Sequence, residues 1–238
     1  MKQFGGRDKK KQYVEKMFDD IAPSYDKLNH VLSFNIDRLW RKRMVKMVVE
    51  CQPKTMLDVA AGTGDLSIMA ARKMPQLVIT GVDLSEGMLK VAREKASKQK
   101  LDVRMEFVEG DVENLPSAGD EFDVVTVAFG IRNFQNLDAS LVEMHRVLRG
   151  GGSIFLMEFG KPQSKFFAQL YRYYSKVIMP RVGGVMSGNR SAYHYLVNSI
   201  RAFAEVDVLS KMRKAGFEEC EAINLTDGIA VIYKAKKR

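Results

Sequence analysis

The sequence predicts an α/β protein: a seven-stranded, mostly parallel sheet with helices on both faces, a C-terminal antiparallel hairpin, N-terminal helices and an inserted helical cap. Three observations predict it. Apolar runs alternate with helical patterns between residues 55 and 159, which is the order of right-handed βαβ units. The first run, Met56-Leu57-Asp58-Val59, breaks into the glycine-spaced turn Ala60-Ala61-Gly62-Thr63-Gly64 and then into a helix. Two terminal runs, 217–225 and 229–235, flank Thr226-Asp227-Gly228, as a hairpin at a sheet edge would.

In chain order, residues 1–20 begin basic, with Lys9, Lys10, Lys11 and Lys16. They turn helical with Tyr13, Val14, Met17 and Phe18 on one side, until Ala22-Pro23 stops the helix. A helix over 36–50 sets Arg38, Arg41, Lys42, Arg43 and Lys46 against Leu39, Trp40, Met44, Val45 and Val48. It either packs on the core with a solvated basic face or touches a membrane surface. Strands are expected at 55–59, 78–82, 103–108, 122–128 and 153–158, and helices at 65–73, 86–98 and 137–148. Residues 161–182 are amphipathic and mix Phe166, Phe167, Tyr171, Tyr173 and Tyr174 with Lys161, Lys165, Arg172, Lys176 and Arg181. A glycine-rich loop and a helix over 191–203 complete the cap. Its composition suits nucleic acid, a membrane interface or an apolar substrate pocket. A helix over 205–215 ends at Gly216, a fit C-cap.

The chain has 238 residues, 46% of them hydrophobic and 28% charged, enough for one well-buried domain. Its expected parts are an N-terminal helical segment (1–50), a binding core (51–160 and 204–238) and the cap (161–203). Two cysteines, Cys51 and Cys220, make no disulfide framework and suit a reduced, cytoplasmic setting. No run approaches the roughly 18 apolar residues of a membrane span, and the N-terminus lacks a signal-peptide core. The net charge of +9 fits anionic lipid, nucleic acid or plain solubility.

The glycine loop carries the chemistry. Gly62 and Gly64 permit a tight turn and close approach of a ligand to bare main chain. The following helix directs unpaired N–H groups at that ligand. Asp83 ends the second strand 19 residues after Gly64, a spacing that suits a carboxylate accepting hydrogen bonds from a nucleoside ribose. A dinucleotide fingerprint would carry a third glycine, or an alanine, where Ser67 stands. Acids flank the loop at Asp58 and Asp65; they would repel a pyrophosphate but suit an ammonium and a sulfonium. S-adenosylmethionine bears both. Asp111 falls where an adenine amino group would lie, with Val112 offering a backbone contact. Arg132 and Asn133 are polar groups at the end of the fourth strand, on the substrate side. His30, His145 and His194 are dispersed, and no Cys/His cluster has metal-ligand spacing; no metal is expected.

These features resemble the class I S-adenosylmethionine-dependent methyltransferases, a Rossmann-like fold. Tyr25-Asp26-Lys27-Leu28-Asn29, Leu32-Ser33 and Trp40 are similar to the N-terminal signature of the ubiquinone/menaquinone biosynthesis C-methyltransferases, with Asp37 where that signature usually has His. Arg146-Val147-Leu148-Arg149-Gly150-Gly151-Gly152 through Glu158 resembles the second signature, with Arg149, Gly150 and Gly160 as departures. Phe129-Gly130-Ile131-Arg132-Asn133 and Tyr193, Tyr195, Leu196 and Ser199 also fit. The resemblance implies C-methylation of a prenylated quinol, demethylmenaquinol to menaquinol, or also of a benzoquinol intermediate. The expected cofactor set is Asp58, Gly62, Thr63, Gly64, Asp83, Leu84, Asp111, Val112 and Ala128. The expected catalytic set is Arg132 and Asn133, with Tyr25 covering the methyl donor or bonding the substrate and Asp26 assisting. The implied partners are the membrane-borne quinol and an anionic lipid surface at the inner face of the membrane. An RNA methyltransferase would carry an Asn-Pro-Pro-Tyr-type motif where Ala128-Phe129-Gly130-Ile131-Arg132-Asn133 stands, so no nucleic acid is expected; a homodimer is left open.

Overall fold

The computed structural model of the protein describes residues 7–165, 167, 169 and 190–238. Three helices come first: α1 (Arg7–Ile21), α2 (Tyr25–Leu32) and α3 (Ile36–Glu50). Ala22–Ser24 form a short 3-10 turn between the first two. Pro23 therefore ends α1 as expected, but the chain re-enters a helix at Tyr25, which the sequence pattern did not announce. The alternating part follows as β1 (Thr55–Val59), α4 (Asp65–Lys73), β2 (Val78–Asp83), α5 (Glu86–Lys98), β3 (Met105–Glu109), β4 (Phe122–Ala128), α6 (Leu137–Val147) and β5 (Leu148–Phe159). The end of the chain contributes α7 (Arg190–Phe203), α8 (Val208–Lys214), β6 (Glu218–Leu225) and β7 (Ala230–Lys236). The expected helix over 161–182 and the glycine-rich loop after it fall largely outside the described residues.

One seven-stranded sheet results, in the order β3-β2-β1-β4-β5-β7-β6. Strands β1 to β5 pair in parallel. Strand β7 runs antiparallel between β5 and β6. The strand order reverses between β1 and β4, and a cleft opens there beyond their carboxyl ends. Strand β5 starts at Leu148, earlier than 153, because its glycines lie against the end of the chain. The Gly151 N–H donates to the Lys237 carbonyl at 2.8 Å, and the Lys237 N–H donates to Gly152 at 3.0 Å. Helix α8 starts later than 205 because Asp207 caps it, accepting from the Ser210 N–H at 3.0 Å.

Both faces of the sheet are covered by core. Met56, Trp40, Met44, Leu89 and Phe107 belong to one side, and Leu57, Val59, Leu141, Met144 and Met212 to the other. Asp58 shares a face with Met56 through the period of two along β1. Its carboxylate is buried in the core, yet it is not orphaned. The Ser67 hydroxyl of α4 donates to one oxygen, and the Thr126 hydroxyl of β4 donates to the other at 2.8 Å. Ser67 is thus more than a missing glycine: it supplies the hydroxyl that this acid needs.

Burial pushes the Asp58 carboxyl up to about 6, against the lowering effect of the Ser67 and Thr126 hydroxyls. The native state then binds more protons than the unfolded chain, whose Asp titrates near ~3.9. Stability should therefore fall as pH rises from about 4 to about 6, by roughly 3 kcal/mol from this group. Asp58→Asn should remove that slope, as read by denaturant unfolding at a series of pH values. Parallel profiles for the variant and the parent would show that Asp58 titrates as it does in the unfolded chain.

Candidate active site

Beyond the ends of β1 and β4 lies an open cleft, about 890 Å³ together with the solvent space at its mouth. Two strained residues shape its floor. Ala60, where β1 ends, has φ 53°, and Phe129, where β4 ends, has φ 62°. Left-handed backbone at non-glycine residues is unfavourable and is kept where surrounding contacts dictate it. A Cβ added to Gly130 would lie 2.6 Å from the Ala60 Cβ, so the two turns meet with no space between them. Gly62 has φ +55°, and a Cβ there would meet nothing within 4 Å. The glycine is needed for its backbone, and open cleft lies over it.

Six of the expected cofactor residues line the cleft: Gly62, Asp83, Leu84, Asp111, Val112 and Ala128. Asp83 stands at the centre. One of its oxygens accepts from the Gly62 N–H at 2.8 Å and the other from the Ser85 N–H at 3.0 Å. Burial raises its pKa, partly opposed by these backbone donors. A carboxylate has about four lone-pair sites, so acceptor capacity remains for a ligand hydroxyl. Asp111 accepts from the Glu113 N–H at 3.1 Å and pairs with Lys11. Gln135 also lines the cleft, and its buried Oε1 has no partner among the described residues. A ligand N–H or O–H would satisfy it. These groups fit the adenosine portion of S-adenosylmethionine.

Of the expected catalytic residues, Tyr25 and Asn133 line the cleft. Burial pushes the Tyr25 phenol up, against the pull of Arg132, which keeps it a neutral donor. The Tyr195 hydroxyl of α7 donates to the Asn133 amide oxygen at 3.1 Å. Arg132 and Asp26 are placed differently from a direct contact. Arg132 is not part of the wall, because buried Glu158 of β5 draws its guanidinium inward. Arg132 Nη1 donates to Glu158 Oε1 at 2.9 Å, and the Arg132 backbone N–H donates to Oε2 at 3.2 Å. The side chains are 5% and 1% exposed, respectively. Burial opposes the Arg132 charge, but Glu158, Tyr25 and Tyr195 together outweigh it and raise its pKa.

Asp26, Asp58, Thr63 and Gly64 are likewise absent from the wall and hold it from behind. The Thr63 hydroxyl donates to Asp26, whose other oxygen takes Lys95 Nζ at 2.7 Å. Lys95 also reaches Asp65 at the start of α4. Burial raises the Asp65 pKa, but Lys95 outweighs it and the net shift is down. The flanking acids, read from the sequence as partners of a cationic ligand, are thus occupied by Ser67, Thr126, Lys95 and His30 of the chain itself. Asp37, the departure from the first signature, is buried and accepts from Ser33, His30 and Arg41.

The sequence reading did not place the first helix at the cleft. Helix α1 supplies Lys11, Val14, Glu15 and Phe18 to the cleft, a strict i, i+3, i+4, i+7 stripe. Of the expected apolar side, Tyr13, Val14, Met17 and Phe18, only Val14 and Phe18 reach the cleft. Met17 is buried elsewhere, and the Tyr13 ring lies 6.0 Å from Tyr195. The helix is pinned over the cleft by Asp19, which accepts from the Ser85 hydroxyl at 2.6 Å and the Gly87 N–H at 3.0 Å. Among the described residues no group of three or more His, Cys, Asp or Glu side chains could hold a metal ion.

Known proteins share the sequence and the fold. The sequence is 41% identical to a demethylmenaquinone methyltransferase of Bacteroides fragilis, over 100% of this chain and 97% of that one. It is 40% identical to a ubiquinone/menaquinone biosynthesis C-methyltransferase of Geotalea daltonii, over 96% and 97% of the two chains. The fold is shared with phosphoethanolamine N-methyltransferase 2 of Haemonchus contortus, solved with S-adenosyl-L-methionine, at a TM-score of 0.58 and 18% identity. That likeness covers 77% of this chain but only 48% of the nematode one. Residues 7–237 match the ubiE/COQ5 methyltransferase family, and the chain belongs to that family.

Proposed function

We propose that this enzyme methylates a ring carbon of a prenylated quinol with S-adenosylmethionine, converting demethylmenaquinol to menaquinol. The carrying observation is the full-length likeness to a demethylmenaquinone methyltransferase. The Geotalea relative favours a second substrate, the benzoquinol intermediate of ubiquinone synthesis. Incubating the protein with labelled S-adenosylmethionine, short-tailed demethylmenaquinol, benzoquinol analogues and total RNA separates the readings. Label in the naphthoquinol is the expected result; label in RNA alone would overturn it.

When bound, S-adenosylmethionine supplies an electrophilic methyl on a sulfonium. The chain's own task is to align the ring carbon with that methyl, which can contribute about 7–11 kcal/mol at best. It must also accept the phenolic proton and hold the phenolate charge as it develops. Tyr25 and Asn133 face the cleft and orient the ring oxygen. With the Asn133 oxygen taken by Tyr195, the amide N–H groups remain to donate. Arg132 stays protonated, and its Nε has no partner among the described residues, so it stabilises the phenolate as a fixed positive charge. Glu158 holds Arg132 in place.

Asp83→Ala should weaken S-adenosylmethionine binding about 10- to 100-fold by calorimetry, the loss of charge-assisted hydrogen bonds. Unchanged affinity would remove Asp83 from the ribose site. Arg132→Ala should lower kcat roughly 100-fold or more while leaving cofactor affinity within a few fold. Equal losses in both would count against a role confined to the transition state.

The substrate tail is apolar, so the ring reaches the enzyme from a bilayer. No helix among the described residues is long and apolar enough to cross one. We propose reversible attachment to anionic lipid through the exposed cations Arg38, Lys42, Arg43 and Lys46 of α3, without a spanning segment. Flotation with anionic vesicles should fall steeply as salt rises; flotation at no salt concentration would sink this reading.

A further inference from the structure

The corner between α2 and α3 carries large apolar side chains into solvent. Phe34 is 69% exposed, Leu39 61% and Val31 42%. The sequence placed Leu39 on the packed side of α3, with Trp40 and Met44. The structure turns it outward, beside Lys42, Arg43 and Lys46, at i, i+3, i+4 and i+7. From 38 to 46, every exposed residue is either Leu39 or a cation.

The exposure of Phe34 is built in. Phe34 and Asn35 are consecutive left-handed residues, with φ 51° and 60°, a conformation that disfavours a bulky aromatic. Neighbouring bonds hold the corner in this shape. The Asn35 N–H donates to the His30 carbonyl at 2.7 Å, and the Ser33 hydroxyl donates to Asp37 at 2.6 Å. A pinned, strained turn that presents an aromatic beside a stripe of cations marks a functional surface.

We propose that this corner is a lipid wedge: Phe34 and Leu39 enter the headgroup and acyl boundary of an anionic bilayer while Arg38, Lys42, Arg43 and Lys46 hold its phosphates. The inference rests on the membrane reading above and adds the contact residues and an apolar component. Charge selects the occupant, since from 38 to 46 the stripe is cationic, with the exposed Glu50 only at the far end of α3, and such a stripe suits a dense array of lipid phosphates. The wedge is tied to the cleft. Trp40, next to Leu39, packs its ring 6.0 Å from Phe129, a residue of the cleft wall, and 6.3 Å from Phe159. Docking the corner therefore sets the active site one helix away from the lipid that stores the substrate.

Flotation with vesicles of phosphatidylcholine and phosphatidylglycerol tests the wedge on the full chain. Phe34→Asn combined with Leu39→Ser should lower partitioning about tenfold or more; Asn suits the left-handed backbone, so the corner is kept. Arg38→Gln and Lys42→Gln should each lower it roughly fivefold at low salt. Val103→Ser removes an 89% exposed apolar residue from another loop and should change nothing. Turnover of a short-tailed, water-soluble quinol should be unchanged in the double variant, which also reports folding, while turnover of a vesicle-borne long-tailed quinol falls. Failure of the wild type to methylate the soluble quinol would strike the proposed chemistry and leave the flotation result standing. Flotation of the double variant equal to wild type, an equal loss in Val103→Ser, or binding only to an acidic protein partner would overturn the wedge.

Discussion

The Asp58 carboxylate ties three elements of the fold to one point. It sits on β1, an interior strand, and hydroxyls from α4 and β4 meet it from either side. Those elements flank the place where the strand order reverses. An acid buried without partners would cost several kcal/mol or give up its charge. Here it keeps two donors, and the glycine turn that follows β1 leaves the sheet in one direction. Each cleft wall is measured from that turn: Gly62 faces Asp83, Ala60 abuts Gly130, and Thr63 reaches back to Asp26 and the helix bearing Tyr25.

The charges around the cleft form two layers. The inner layer, Asp83, Asp111, Lys11 and Glu15 with the neutral Tyr25 and Asn133, touches the open space. The outer layer, Asp26, Asp65, Lys95, Arg132 and Glu158, is largely paired off within the protein. Pairing matters because an uncompensated charge at these depths would be strongly destabilising. It also means that the charges of this outer layer act on the cleft by position and field rather than by contact.

Much of this was legible. Strands β1 and β4 and helices α3, α4 and α5 have the bounds that periodicity gives, because long apolar or amphipathic runs are bounded there by glycine, proline or capping residues. Asp83 was readable because strand ends are fixed by the sheet. Four things were not. The phase of α1 depended on which of two adjacent stripes faced the cleft, and only its contact with α5 decides that. Arg132 was aimed at the substrate for want of a visible partner; Glu158 lies on a different strand, 26 residues away. The acids around the glycine loop looked available because their partners, Ser67, Thr126 and Lys95, are joined to them only by folding. Leu39 was grouped with Trp40 and Met44 on the apolar side of α3 from spacing alone, although α3 buries Trp40 and Met44 without it.

The hydrogen bond from Gly62 to Asp83 has a further consequence. The same carboxylate that we propose binds the ribose already holds the glycine loop by its main chain. The loop needs no ligand to take its shape, so little conformational entropy is left to be lost on association. Preorganisation of this kind lets a small site hold a nucleoside firmly. It also predisposes the loop to keep its geometry after the methyl has gone, and the demethylated product should remain a close competitor for the same cleft.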